Sequence, residues 1–150
     1  MSDIVARIAN NIIKADLREN VIEARINGAV INVSGASSLT KVAGENLSGH
    51  RAVCVKSDGK VYYADSSDIA TKGVLGVTQN AVSANENVTV MTYGQLSNVG
   101  GWSFTAGNPV FVTSNGQISS TVSGTAYVCA VGIAIATDTI NIEVQPIILL

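Results

Sequence analysis

Charge is what this chain has least of. Asp, Glu, Lys and Arg make up 13% of its 150 residues, about half the share of an ordinary soluble domain. Its nine basic residues are scattered from Arg7 to Lys72, and none follows Lys72. With a net charge of -2, the chain lacks the clustered Lys and Arg that a nucleic-acid backbone demands, so nucleic acid is not an expected partner. Histidine occurs once, at His50, and cysteine twice, at Cys54 and Cys129. One imidazole and two separated thiols make neither a His-based metal site nor a zinc knuckle, and no cofactor is expected. Both cysteines fall in apolar strand-like segments and read as small core residues, their pairing left open. No apolar run reaches the roughly 18 residues of a membrane span; the longest, 126–136, is broken by Thr137-Asp138. No basic stretch precedes a long apolar one near the N-terminus, so neither a secretory leader nor a membrane partner is expected. Aromatic residues are 5% against 47% hydrophobic, which leaves Val, Ile and Ala as the apolar material. A surface this poor in charge is dressed in Ser, Thr and Asn or covered by other subunits.

What the chain does have, it has twice. Gly49-His50-Arg51-Ala52-Val53-Cys54-Val55-Lys56-Ser57-Asp58-Gly59-Lys60-Val61 returns as Gly107-Asn108-Pro109-Val110-Phe111-Val112-Thr113-Ser114-Asn115-Gly116-Gln117-Ile118. Val74-Leu75-Gly76-Val77 returns as Ala130-Val131-Gly132-Ile133, and Asn87-Val88-Thr89-Val90 as Thr139-Ile140-Asn141-Ile142. The offsets are 57 at Val53/Val110, 56 at Gly76/Gly132 and 52 at Val88/Ile140, so length changes fall between strands. Two copies are too few for a solenoid. They predict a mainly β fold, a small barrel or sandwich built from a duplicated strand motif, with repeats at about 49–93 and 107–146. Strands are expected near 51–56, 60–64, 73–79, 87–93, 109–113, 116–120, 125–136 and 139–146. Asp58-Gly59 and Asn115-Gly116 read as hairpin turns at matching places. Gly76 and Gly132, each inside an apolar strand, predict a bulge or bend.

The body, 41–150, follows an N-terminal arm, 1–40. In the arm, Ile4, Val5, Ile8, Ile12 and Ala15 recur at helical spacing behind Ser2 as N-cap, which predicts a helix over 2–19. Residues 21–33 either extend that helix or form a hairpin about Asn27-Gly28. The hairpin is favoured, because it pairs Ile26 with Ala29, Ala24 with Ile31 and Ile22 with Val33 on one apolar face. Residues 35–40 read as a linker.

A search for chemistry finds little. The duplicate places Asn108 opposite His50, which suits a turn residue better than a general base. Asp58, Asp65 and Asp68 lack the spacing of a calcium loop. Asp65 with Glu86 or Glu143 is a conceivable carboxylate pair for hydrolysis that nothing else supports. Gly-x-Ser-x-Gly, phosphate-loop and dinucleotide signatures are absent. The reading is therefore not an enzyme. Trp102, in the Gly-rich stretch joining the copies, reads as a residue pinning its loop, with a ligand platform as the alternative. Two sets of apolar residues ask for partners: Ile4, Ile8 and Ile12 in the arm, and Ile147, Ile148, Leu149 and Leu150 at the end. Four aliphatic residues are costly to leave in water, at about 25 cal/mol per Å², and a trimer axis would bury them.

Several segments carry a family resemblance: Ala43-Gly44-Glu45-Asn46-Leu47-Ser48-Gly49-His50-Arg51-Ala52-Val53, Ser57-Asp58-Gly59-Lys60-Val61-Tyr62-Tyr63-Ala64, Gly73-Val74-Leu75-Gly76-Val77, Thr105-Ala106-Gly107-Asn108-Pro109-Val110-Phe111-Val112 and Ala130-Val131-Gly132-Ile133-Ala134. Through them, residues 43–145 resemble the β-modules of tailed-bacteriophage virion proteins, particularly capsid decoration and head-fibre proteins. The resemblance implies a small barrel or sandwich, usually trimeric, that coats or projects from a capsid after synthesis in the host cytoplasm. Its partners would be other copies of itself and the major capsid protein or another virion protein, with the arm used for attachment or trimerisation. It carries over no functional residue. The alternative is a receptor- or carbohydrate-binding module of a phage tail fibre, with Trp102 as contact.

Overall fold

In this computed structural model the described residues are 4–8, 11–15, 21–26, 29–34 and 37–150, with side chains described from residue 37. The chain divides into two compact units, Met1–Gly35 and Ala36–Leu150. The first holds four strands in the order β1 (Ile4–Ile8), β2 (Asn11–Ala15), β3 (Val21–Ile26) and β4 (Ala29–Ser34), each antiparallel to the next. The helix expected over 2–19 is corrected where it is described: Ile4 faces Ala15 and Ala6 faces Ile13 in a strand pair. β-branched residues fill these segments, and a stripe of Ile and Val serves a short hairpin as readily as a helix face. The Ser2 cap and residues 16–19 lie outside the described residues. β3 and β4 are antiparallel, with Ile22 opposite Val33, Ala24 opposite Ile31 and Ile26 opposite Ala29. Asn27-Gly28 lies outside the described residues.

The second unit is a curled antiparallel half-barrel sheet. Its strands are β5 (Ser37–Val42), β6 (Ala52–Val55), β7 (Val61–Tyr63), β8 (Val74–Thr78), β9 (Asn87–Ser97), β10 (Pro109–Val112), β11 (Ile118–Ser119), β13 (Ala130–Ala134) and β14 (Thr139–Glu143). The order is β11-β10-β13-β14-β9-β8-β6-β7, with β5 also on β9. Ser37–Thr40, expected as linker, is thus strand: Leu39 and Thr40 pair with Val90 and Thr89. The expected strand 125–136 is two pieces. β12 (Tyr127–Val128) leaves the main sheet to pair with β15 (Ile148–Leu149), while β13 stays in it.

The duplication is written into the ladder. Ala52 pairs with Val77 and Val53 with Gly76; in the second copy Pro109 pairs with Ile133 and Val110 with Gly132. Both ladders then slip, to Cys54 with Val74 and Phe111 with Ala130, which places matching bulges beside the two glycines. One alignment needs correction. Val90 pairs with Thr78 and Ile140 with Ala134, so Val90 matches Ile140 and the offset there is 50, not 52. A slip of two residues keeps every side chain on its face, so alternation alone could not detect it.

Equivalent faces of the two copies meet different neighbours. Val88 and Val90 join Val53, Val61 and Leu47 in one core, whereas Met91 and Leu96 share a second with Ala52, Cys54, Val77, Val110, Val131, Ile140 and Ile142. Along β9 the alternation therefore loses step between Met91 and Leu96, and Gly94 sits in that interval with φ 104. No other residue type takes that conformation without strain. β6 is in consequence buried on both faces, while β13 exposes one.

Candidate functional site

A groove of about 440 Å³ lies where the two copies of the second unit meet. One wall is the lead into β6, Ser48 to Arg51; another is the connection between copies, with Asn98, Gly101 and Trp102; the third is Gln117-Ile118 from the β10–β11 hairpin. That hairpin is pressed onto the first copy. The Gly116 N–H donates to the Ala64 carbonyl at 2.6 Å and the Ser66 N–H to that of Thr113 at 3.2 Å. A side chain at Gly116 would strike the Ala52 carbonyl and the Tyr63 ring, each 2.6 Å from its Cβ position.

Trp102 is half-buried and packs on the main core with Phe104, ring centroids 5.7 Å apart. The His50 ring meets its indole edge to face at 5.5 Å and 84°. Trp102 thus pins its loop and also lines the groove. His50 itself requires a correction. Its N–H donates to Thr78 O as that of Gly107 donates to Ala134 O, so the counterpart of His50 is Gly107, not Asn108. Both take positive φ, 60 at His50 and 90 at Gly107. The gap between the copies lies ahead of this residue, where a loop hides it from sequence comparison.

Asp58, Asp65, Asp68 and Glu86 each accept a hydrogen bond from a neighbour in their own loop, whereas Glu143 lies apart on β14. Asp58 accepts from the Tyr62 hydroxyl at 2.7 Å and the Lys60 N–H at 3.0 Å, and these bonds hold its carboxyl below the usual range. The Asp58 bond in turn raises the Tyr62 phenol, whose ring lies flat against Gly44 beneath Lys56. Asp65 accepts from Ser67 N–H, Asp68 caps a 3-10 turn through Ala70 N–H, and Glu86 accepts from Ser83 N–H. Among the described residues no three of His, Cys, Asp and Glu are grouped to hold a metal. No helix among them is long and apolar enough to cross a membrane. Cys54 and Cys129 are buried free thiols. Desolvation raises both, Cys129 to about 11.

The apolar candidates fall into separate environments. Ile147 packs on the main core, whereas Ile148, Leu149 and Leu150 are 64%, 61% and 68% exposed. The side chains of Ile4, Ile8 and Ile12 lie outside the described ones. Residues not singled out from sequence make a further apolar face: Ile133 is 53% exposed, with Pro109 beside it on β10. Over this face runs a smaller groove of about 200 Å³ lined by Pro109, Ile133, Asn141 and Glu143. Its first-copy counterparts, Ala52, Val77 and Met91, are buried. The chain matches no protein-family model and no curated protein sequence.

Proposed function

We propose that this chain is a structural, non-catalytic β-module that assembles with copies of itself, as a homotrimer, and decorates or projects from a tailed-phage capsid. The N-terminal unit serves attachment or trimerisation, and the barrel-like second unit is the part displayed. One observation carries the assembly reading. The first copy's face of Ala52, Val77 and Met91 is covered by the second copy, while the second copy's same face, Pro109, Ile133 and Asn141, has no cover within the described residues. A duplicated module that buries a surface once and offers it again is suited to head-to-tail contact, which closes into a ring when the rotation allows. The exposed Ile148, Leu149 and Leu150 add a second apolar patch of the kind interfaces cover. The capsid location rests on the resemblance of residues 43–145 to virion β-modules.

Sedimentation of the full chain tests assembly. The wild type is expected as a trimer, and Ile133→Asp or Ile148→Asp with Leu149→Asp as monomers with unchanged circular dichroism. A monomeric wild type at about 100 μM, far above any Kd useful for a stable assembly, would remove the proposal.

A further inference from the structure

We propose that the groove beside Trp102 binds a saccharide carrying a carboxylate group. The proposal goes beyond assembly and depends on none of its surfaces. Four residues with polar side chains line the groove: His50, Arg51, Asn98 and Gln117. Among the described residues none of the four makes a side-chain hydrogen bond. Arg51 and Asn98 donate only through their backbone N–H, to Thr78 Oγ1 and Asp138 O. Among the described residues the Arg51 guanidinium has no carboxylate partner, and with two amides and a half-buried indole it makes a donor set open to a ligand. A volume of about 440 Å³ lies in the ordinary range for small-ligand sites, which combine an apolar wall with a few placed polar groups. A pyranose ring offers such a site a flat C–H face for the indole and hydroxyls for the amides. A carboxylate completes the match through the fork of Arg51.

His50 gives the second, independent observation. The fold requires a left-handed residue there, and the other copy supplies Gly107. His50 holds φ 60, a left-handed conformation that non-glycine residues adopt uncommonly. Strain of this kind gathers where a side chain serves a site. Here the imidazole packs against Trp102 and forms part of the groove wall. The second copy does not repeat this lining, because Gly107 and Asn108 stand where His50 and Arg51 stand.

Trp102 is the only tryptophan, so its emission reports the groove directly. The full chain is titrated with methyl glucuronoside, methyl glucoside and acetate. The glucuronoside is expected to give a saturable emission change, and the other two a much weaker response. Arg51→Gln should weaken glucuronoside binding at least about tenfold, as loss of a charge-assisted pair does, and leave the glucoside response unchanged. His50→Gly gives the left-handed position its favoured residue, so the melting temperature should hold or rise while affinity falls. No saturable change up to about 10 mM, the range of a weak single-sugar site, would overturn the proposal. An equal response to acetate, or wild-type affinity in both variants, would do the same. Because the readout is emission and not mass, a monomeric protein that binds refutes assembly alone.

Discussion

Gly132→Ala should be among the most damaging single-methyl changes in this protein. A Cβ at Gly132 would overlap the Asn141 carbonyl oxygen of the neighbouring strand, with Asn141 C at 2.9 Å and Ile142 Cα at 3.0 Å. These are backbone atoms of a paired strand, so no side-chain rotation relieves the contact. β13 must move from β14, which strains about two ladder bonds worth roughly 1 kcal/mol each. Overpacking itself costs about 1–3 kcal/mol, for a total of about 3–5 kcal/mol. With a urea m-value of about 2 kcal/mol/M, the midpoint should fall by about 2 M. Gly76→Ala should match it, because a Cβ there overlaps the Met91 carbonyl oxygen, with Met91 C and Val90 Cγ1 at 3.0 Å. Gly59→Ala is the control. Its φ is 76 and nothing lies within 4 Å of the new Cβ, so only the left-handed penalty of about 1–2 kcal/mol applies. Equal midpoints for Gly132→Ala and Gly59→Ala would refute the close approach. Damage at only one of Gly76 and Gly132 would refute the equivalence of the copies.

Two other outcomes follow from the buried groups. Cys54 and Cys129 should be unreactive to a thiol reagent in native protein at pH 8 and both react in urea; rapid native labelling would contradict their burial. Because folding raises Cys129 from 9.0 to about 11, its contribution to stability is whole below pH 9 and is lost as pH rises through 11. Urea midpoints that stay flat from pH 8 to 11 would contradict this. Thr71 Oγ1 accepts from Asp65 N–H at 2.9 Å and lies 2.8 Å from Asp65 O and 3.1 Å from the buried Tyr127 hydroxyl. Thr71→Val should therefore cost about 2–3 kcal/mol and Tyr127→Phe about 1 kcal/mol, since the first orphans more buried partners. The reverse order in urea melts would show that Tyr127, not Thr71, holds the network.

Some of this fold is local and stands in the order of residues. Alternating Val and Ile, the Asp58-Gly59 and Asn115-Gly116 turns, and the glycines inside apolar strands are each set by the chemistry of a few neighbours. They made the mainly β character, the duplication and the bulges beside Gly76 and Gly132 readable at once. The arm was less so, because Ile4, Val5, Ile8 and Ile12 satisfy a helical stripe and a short strand pair alike until a partner is present. Register was hidden for a related reason: a two-residue slip of 139–142 against 87–90 leaves the pattern intact, and only the Val90–Thr78 and Ile140–Ala134 pairs resolve it. Tertiary packing alone decided that β9 changes face between Met91 and Leu96, that the first copy is buried on both sides, and that Pro109 and Ile133 are left uncovered. It also gathered His50, Arg51, Asn98, Trp102 and Gln117 from three separate loops into one groove. A strand's two faces are chemically similar in a chain with so little charge, so which face meets a neighbour is set by how the whole sheet curls.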